Sequence, residues 1–225
     1  DMEMVQKRKD EVLEQLRKGI ASLMKTNKIS VYYGTGTILD REHVKVAAAE
    51  DTSEGKPEGK PEGKPEVKSE EQPGGQKQDQ VVLETSHILI ATGSVPACPP
   101  IPGSSLPGVV TSDGLLDKKD MFEHLIIIGG GVIGMEFASV YSSLGHGVTV
   151  IEALDRILPT MDKEIAQNLK MIMKKRNVDI HTGAKVEEIL QTEDGKGLIC
   201  RYTEKDKPCE ARADGILIAT GRRAY

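Results

Sequence analysis

Residues 126–136 read Ile126-Ile127-Ile128-Gly129-Gly130-Gly131-Val132-Ile133-Gly134-Met135-Glu136, and the fold of the chain turns on this stretch. Three branched apolar residues in a row fit a strand buried on both faces, as in a parallel sheet. Gly129, Gly131 and Gly134 then form G-x-G-x-x-G, and an apolar helical pattern over 132–144 follows at once, ending near Gly145. A second run, Val148-Thr149-Val150-Ile151, ends in Glu152. The glycine pattern alone is weak evidence. Strand, glycines, helix, second strand and terminal acid in this order are the βαβ setting in which such glycines bind a dinucleotide. Gly129 permits the tight turn, Gly131 lets the backbone approach a pyrophosphate, and Gly134 lets the helix sit close to the strand. The helix N-terminus offers N–H groups to the phosphates. Glu152 can accept from a ribose 2′-hydroxyl and would repel a 2′-phosphate, so NAD is expected in preference to NADP.

Downstream, Leu154-Asp155-Arg156-Ile157-Leu158-Pro159 reads as a loop in which Asp155 and Arg156 form an ion pair, the alternative being a contact with the adenosine end of the dinucleotide. Asp162 is the expected N-cap of a helix that buries Ile165, Leu169, Ile172 and Met173. Val178–His181 reads as a third parallel strand. Residues 184–191, 197–202 and 210–212 read as a meander of exposed strands, with turns at Asp194-Gly195 and Lys207-Pro208. Residues 215–219 form a last buried strand. The expected fold class is α/β: a Rossmann-like parallel sheet built from 125–128, 148–151, 178–181 and 215–219, with an antiparallel meander beside it.

Upstream, residues 3–26 repeat apolar side chains at helical spacing (Val5, Val12, Leu16, Ile20, Leu23), so an amphipathic helix is expected. Short strands are expected near Ile29–Tyr33, Gly36–Leu39, His43–Val46 and Val81–Glu84. Between them, residues 47–80 carry Gly-Lys-Pro-Glu at 55–58, 59–62 and 63–66. Proline at every fourth position forbids a helix, and nothing there can build a core. That stretch reads as a flexible insertion between two strands of a hairpin-like sheet. Ile88–Ala91 is expected to be a strand, a loop rich in Pro and Gly follows, and Ser112 is expected to cap a short helix over 113–117. The run Ile88-Leu89-Ile90-Ala91-Thr92-Gly93 recurs as Ile216-Leu217-Ile218-Ala219-Thr220-Gly221, which suggests two related nucleotide-binding domains.

Lys and Arg number 30 against 35 Asp and Glu, a net charge of −5 with no basic stripe, which argues against nucleic acid as a partner. No apolar run is long enough to span a membrane and no signal peptide is recognisable, so a cytoplasmic protein is expected. Cys98, Cys200 and Cys209 form no C-x-x-C pair and no metal-ligand set, so free thiols and no metal are expected. His124, His146 and His181 are expected at the surface, beside no carboxylate pair or nucleophile. Asp1 opens inside a helical pattern and Tyr225 follows a strand directly, so both ends read as cut and the chain as a fragment.

Ile88–Ser94, Ile127–Glu136, Val148–Glu152, Asp155–Pro159 with Met161-Asp162, and Ile216–Arg223 together resemble the flavin-dependent pyridine nucleotide–disulfide oxidoreductases. The Asp-Arg-Ile-Leu-Pro stretch is most similar to the lipoamide dehydrogenase branch. The resemblance implies an FAD domain split in sequence around an NAD domain: residues 1–46 and 81–112 as a partial FAD-binding domain, and 113–225 as the NAD-binding domain. It implies NAD contacts at Gly129, Gly130, Gly131, Val132, Ile133, Gly134, Met135 and Glu136, at Glu152 for the adenosine ribose, and at Val186 and Gly221. It implies FAD contacts at Gly36, Thr92, Gly93 and Ser94. In the family the position of Glu136 faces the flavin–nicotinamide junction; read without the family, Glu136 is an acid favoured by the helix dipole. The implied partners of the parent protein are dihydrolipoamide or the lipoyl domain of a 2-oxoacid dehydrogenase or glycine cleavage complex, and a second copy in a homodimer. The family's redox cysteines, spaced Cys-x-x-x-x-Cys, have no counterpart here, so no catalytic residue is assigned and the chain alone is expected to be inactive. Another disulfide reductase or NADH oxidase of the same fold, or a non-catalytic NAD-binding module, is the alternative.

Overall fold

The computed structural model describes residues 2–48 and 80–225; the Gly-Lys-Pro-Glu repeat lies outside them. They divide into two compact units, one within residues 10–91 and one formed by residues 2–9 with 92–225. In chain order the elements are α1 (Met2–Thr26), β1 (Thr35–Ile38), β2 (His43–Ala47), β3 (Gln80–Glu84), β4 (Ser94–Pro96), β5 (Val109–Thr111), α2 (Ser112–Leu116), β6 (His124–Ile128), α3 (Val132–Ser143), β7 (Gly147–Glu152), α4 (Lys163–Lys175), β8 (Val178–Thr182), β9 (Ala184–Gln191), β10 (Leu198–Glu204), β11 (Lys207–Ala213), β12 (Gly215–Ile218) and β13 (Arg222–Ala224).

In the first unit β1, β2 and β3 form an antiparallel sheet, with His43 opposite Glu84 and Ala47 opposite Gln80. The expected hairpin-like pairing across the insertion is therefore present. α1 is helical as expected, yet none of its residues is buried. Two expected strands do not form. Ile29–Tyr33 and Ile88–Ala91 are irregular, and Leu89 is 90% and Ile90 69% exposed. A strand needs a neighbour for its N–H and C=O groups, and none of the described strands pairs with either segment.

The second unit is a three-layer α/β structure. Its parallel sheet has the order β5-β12-β6-β7-β8. The four expected strands are there, and β5 adds a fifth, pairing Val109 with Ile216. The pleat explains the run of isoleucines, because successive side chains leave opposite faces. Leu125 and Ile127 join Val148, Val150 and Leu217 under Met135, Ala138 and Tyr141 of α3 and Ala166 and Met173 of α4. Ile126 and Ile128 join Ile151 and Ile216 against Ala184, Ile189, Leu198, Cys200 and Tyr202 of the meander β9-β10-β11. The meander strands are thus buried on one face rather than exposed. Its first turn lies at Asp194-Gly195 as expected, but the second is at Lys205-Asp206, not Lys207-Pro208. Those two residues take φ of 50° and 60°, the left-handed pair of a type I′ hairpin, and Pro208 sits on edge strand β11, where its missing N–H costs nothing.

Asp162 caps α4 as expected, its Oδ1 accepting from Glu164 N at 2.8 Å. The buried stripe differs: Ala166, Leu169 and Met173 face the core, while Ile165 and Ile172 are exposed. α2 starts one residue early, capped by Thr111 rather than Ser112. Two short strands within expected loop segments, β4 and β13, pair antiparallel. Among the described residues no helix is long and apolar enough to cross a membrane.

Candidate functional site

The loop from β6 to α3 has the geometry its glycines require. Gly129 takes φ +113°, and a Cβ there would strike the carbonyl oxygen of Ala219 on the neighbouring strand. Gly134 faces the carbonyl of Gly129, which any Cβ would overlap, so α3 lies directly against the turn. Gly131 is the N-cap of α3 with φ −71° and ψ −175°, and no side chain caps the helix there. Nothing stands within 4 Å of where its Cβ would be. The glycine is thus needed neither for its dihedrals nor for packing inside the protein. What the missing side chain leaves is open approach to the helix N-terminus, where orphan N–H groups favour an anion.

Glu152 ends β7 and is 8% exposed. Its Oε2 accepts from Gly130 N at 2.5 Å and its Oε1 from Leu154 N at 2.7 Å. The acid is therefore not a free side chain at a strand end. It is fastened to the glycine loop on one side and to its own loop on the other. A carboxylate has about four lone-pair sites, so roughly two remain for a ligand.

These groups surround a cleft of about 500 Å³ at the C-terminal ends of the parallel strands. Seven of the expected positions line it: Gly129, Gly131, Val132, Ile133, Glu152, Val186 and Gly221. Gly130 stands behind the wall, where a Cβ would lie 2.9 Å from Ile157 and 3.1 Å from Glu152 Cβ. Gly134 and Met135 are buried in packing, and Glu136 is exposed on α3 just past its first turn. None of these four lines the cleft, nor do Gly36, Thr92, Gly93 and Ser94, all of which are exposed. Of the FAD-side positions, Ser94 has a resolved partner: Arg222 donates Nε to its Oγ at 2.8 Å and Nη2 to its carbonyl at 2.6 Å.

The sequence reading missed Ile128, Ile151, Ala153, Leu154, Pro159, Ala184, Ala219, Thr220 and Arg222 in the lining. Five of these nine flank a position it did name, and apart from Thr220 and Arg222 their side chains are small or apolar and carry no signal of their own. Arg156 makes no ion pair with Asp155; its Nη2 donates to the carbonyl of Pro159 at 2.9 Å. The histidines also differ from expectation. His124 Nε2 lies 2.9 Å from Thr149 Oγ1. His181 sits between two carboxylates after all, with Nδ1 2.8 Å from Glu204 and Nε2 3.0 Å from Asp179. Sequence spacing shows the Asp179 contact, two residues away on one strand face, but not Glu204. Among the described residues no His, Cys, Asp and Glu cluster could hold a metal, and the three cysteines are free. Burial pushes the Cys200 thiol up to about 12, which leaves it unreactive.

The parallel sheet, its glycine turn, and the acid at the end of β7 define an α/β protein of the Rossmann class. The chain matches the pyridine nucleotide-disulphide oxidoreductase family over residues 1–225, and it belongs to that family. It is 35% identical over 226 residues to the dihydrolipoyl dehydrogenase of Bacillus subtilis, covering 100% of this chain and 43% of that one. It is 40% identical over 137 residues to the probable pyridine nucleotide-disulfide oxidoreductase RclA of Escherichia coli, covering 60% and 30% of the two chains. The solved structure of the Cu(II) complex of the HOCl-induced flavoprotein disulfide reductase RclA from Escherichia coli is similar with a TM-score of 0.69 at 32% identity. That match covers 97% of this chain and 42% of the other. The chain thus spans less than half the length of these relatives.

Proposed function

We propose that this chain supplies the NAD-binding part of an FAD-dependent dihydrolipoamide dehydrogenase. The observation that carries the reading is the pairing of an open Gly131 at the α3 N-terminus with Glu152, held in the same cleft by two backbone N–H groups. The free helix N-terminus suits the pyrophosphate. Glu152 suits a ribose diol and opposes a 2′-phosphate. Val186, Ala184 and Leu154 offer apolar area at one end of the cleft for a base. Gly134 and Met135, buried on the underside of α3, support the turn.

In the whole enzyme, dihydrolipoamide loses two electrons and two protons to become lipoamide, and NAD⁺ gains a hydride while one proton is released. When bound, FAD and the enzyme's disulfide supply the redox steps between the two. The residues of this chain would bind and orient the nicotinamide cofactor; no pair of its cysteines has the Cys-x-x-x-x-Cys spacing. We assign residues 113–225 to dinucleotide binding and 1–46 with 81–112 to part of an FAD domain, whose last strand, β5, pairs with β12 of the dinucleotide-binding sheet. The partner follows from the same reading: a lipoyl group on a 2-oxoacid dehydrogenase or glycine cleavage complex. The 40% identity to RclA over 137 residues supports a second reading, another disulfide reductase of the same fold.

The test is titration of the purified chain with NADH and NADPH. Preference for NADH by about tenfold or more, equivalent to roughly 1.4 kcal/mol, is expected for the wild type. Glu152→Ala should lose most of that preference. Equal affinities in the wild type remove Glu152 as the selector. Lipoamide turnover or a flavin spectrum from the chain alone would contradict the division of labour proposed here.

A further inference from the structure

A cluster of titratable groups stands at the Ala184–Val186 side of the cleft. His181 lies near the end of β8, the edge strand of the parallel sheet. Its Nδ1 is 2.8 Å from Glu204 Oε2 and its Nε2 is 3.0 Å from Asp179 Oδ2. The Tyr202 ring packs on it at 5.3 Å between centroids, with the hydroxyl 3.4 Å from Nε2. A neutral imidazole has one N–H and can donate to one carboxylate; an imidazolium donates to both. Asp179 belongs to the same strand, but Glu204 comes from β10, so the His181–Glu204 bond joins the sheet to the meander.

The register ties this bond to the cleft. In the β9–β10 pairing Glu204 stands opposite Ala184 and Tyr202 opposite Val186. Ala184 and Val186 both line the cleft. The register shifts between Arg201 and Tyr202, a bulge of the kind that re-aims side chains. The other charged groups nearby are engaged elsewhere. Lys170 of α4 donates to Thr182 Oγ1 at 3.1 Å, and Glu152 of β7 accepts from Gly130 and Leu154. Asp179 and Glu204 are the charged groups that face the imidazole. Both His181 and Glu204 side chains are 23% exposed, so protons reach the pair from solvent.

We propose that His181 is a pH-sensitive clamp: its imidazolium holds Glu204, and with it the Ala184–Val186 wall, against the edge of the parallel sheet, so that the dinucleotide binds more tightly when His181 is protonated. This rests on the reading of the cleft as a dinucleotide site. Burial opposes the charge on His181, but the hydrogen bond to Glu204 and the charge and hydrogen bond of Asp179 outweigh it, and the pKa is raised from its ordinary 6.5. The clamp is therefore complete below about pH 6.5 and weakens as pH rises through the raised value, because the neutral ring keeps one N–H for two carboxylates.

The test uses the full chain, with NADH as the probe, in calorimetric titrations from about pH 5.5 to about pH 9, spanning the histidine range. Wild type, His181→Gln and Glu204→Gln are compared, and amide exchange protection is followed at 184–186. In the wild type, Kd should rise by about two- to fivefold, with its midpoint at the His181 pKa measured by NMR. Protection at 184–186 should fall with the same midpoint. Both variants should bind NADH at the weaker, high-pH affinity throughout, with flat protection. A flat wild-type profile, or a variant that keeps the wild-type pH dependence, overturns the clamp. If both variants fail to fold, the wild-type exchange profile decides: unchanged protection at 184–186 across the His181 midpoint overturns it. If NADH binds at no pH, the dinucleotide reading fails together with the affinity link, and the exchange measurement still judges the clamp itself.

Discussion

Gly129 and Gly131 serve one turn for opposite reasons, and substitution separates them. Gly129→Ala must place a Cβ at φ +113° against the Ala219 carbonyl, so the fold should lose on the order of 1–3 kcal/mol, read as a lower Tm. Gly131→Ala meets no protein atom within 4 Å and keeps an allowed φ. Its stability should stay within about 0.5 kcal/mol of wild type. Its NADH affinity should fall at least about tenfold, because the new methyl stands where the ligand must approach. A Gly131→Ala protein that binds normally would show that the ligand does not use this N-terminus. Cys98 and Cys200 make a second contrast. Cys98 is exposed and should react with a thiol reagent at once in native buffer. Cys200 is buried with its pKa pushed up to about 12, and should react only after unfolding. The turn at Gly129 was legible in the sequence because the backbone freedom it needs belongs to the residue itself. The double attachment of Glu152 was not, since it depends on where the loops at Gly130 and Leu154 come to rest.

Among the elements, α4 shows how a helix can be recognised correctly and oriented wrongly. The N-cap and amphipathic spacing are local properties, and they were readable. The face was not, because Ile165 and Ile172 carry more apolar area than Ala166, the residue that meets the sheet. A small side chain lets the helix approach, and the packing of the partner surface, not hydrophobicity alone, sets the rotation. Met173→Ala should therefore cost about 2–5 kcal/mol, while Ile172→Ser should change stability by no more than about 0.5 kcal/mol. Denaturant midpoints for the two variants check this; equal losses would put Ile172 in the core. Asp162→Ala should cost about 1 kcal/mol through the lost cap to Glu164 N.

For the molecule as a whole, the layers decide what each segment becomes. The meander is held to the sheet by the Ile126–Ile216–Tyr202 core and by His181–Glu204. Because the His181 pKa is raised in the folded state, its contribution to stability is full below about pH 6.5 and fades as pH rises through the folded value. The Tm difference between wild type and His181→Gln should therefore be largest near pH 6 and shrink toward pH 9, values set by the roughly 6.5 reference of a free histidine; a gap that grows with pH would reverse the sign assigned here. The repeated run Ile-Leu-Ile-Ala-Thr-Gly makes the division between sequence and structure explicit. At 216–221 it supplies β12, buried between β5 and β6. At 88–93 the same six residues form no strand, and Leu89 and Ile90 lie exposed. By itself the sequence determined the βαβ order, the glycine turn, the acid at 152 and the Asp162 cap of α4, though not the cap of α2, because each rests on backbone dihedrals or on spacing along a few residues. Only the tertiary structure decided which apolar runs became strands, which face of α4 was buried and which distant residues line the cleft. Those outcomes depend on neighbours far away in the chain, since a strand's N–H and C=O groups and a side chain's buried area find their partners across space.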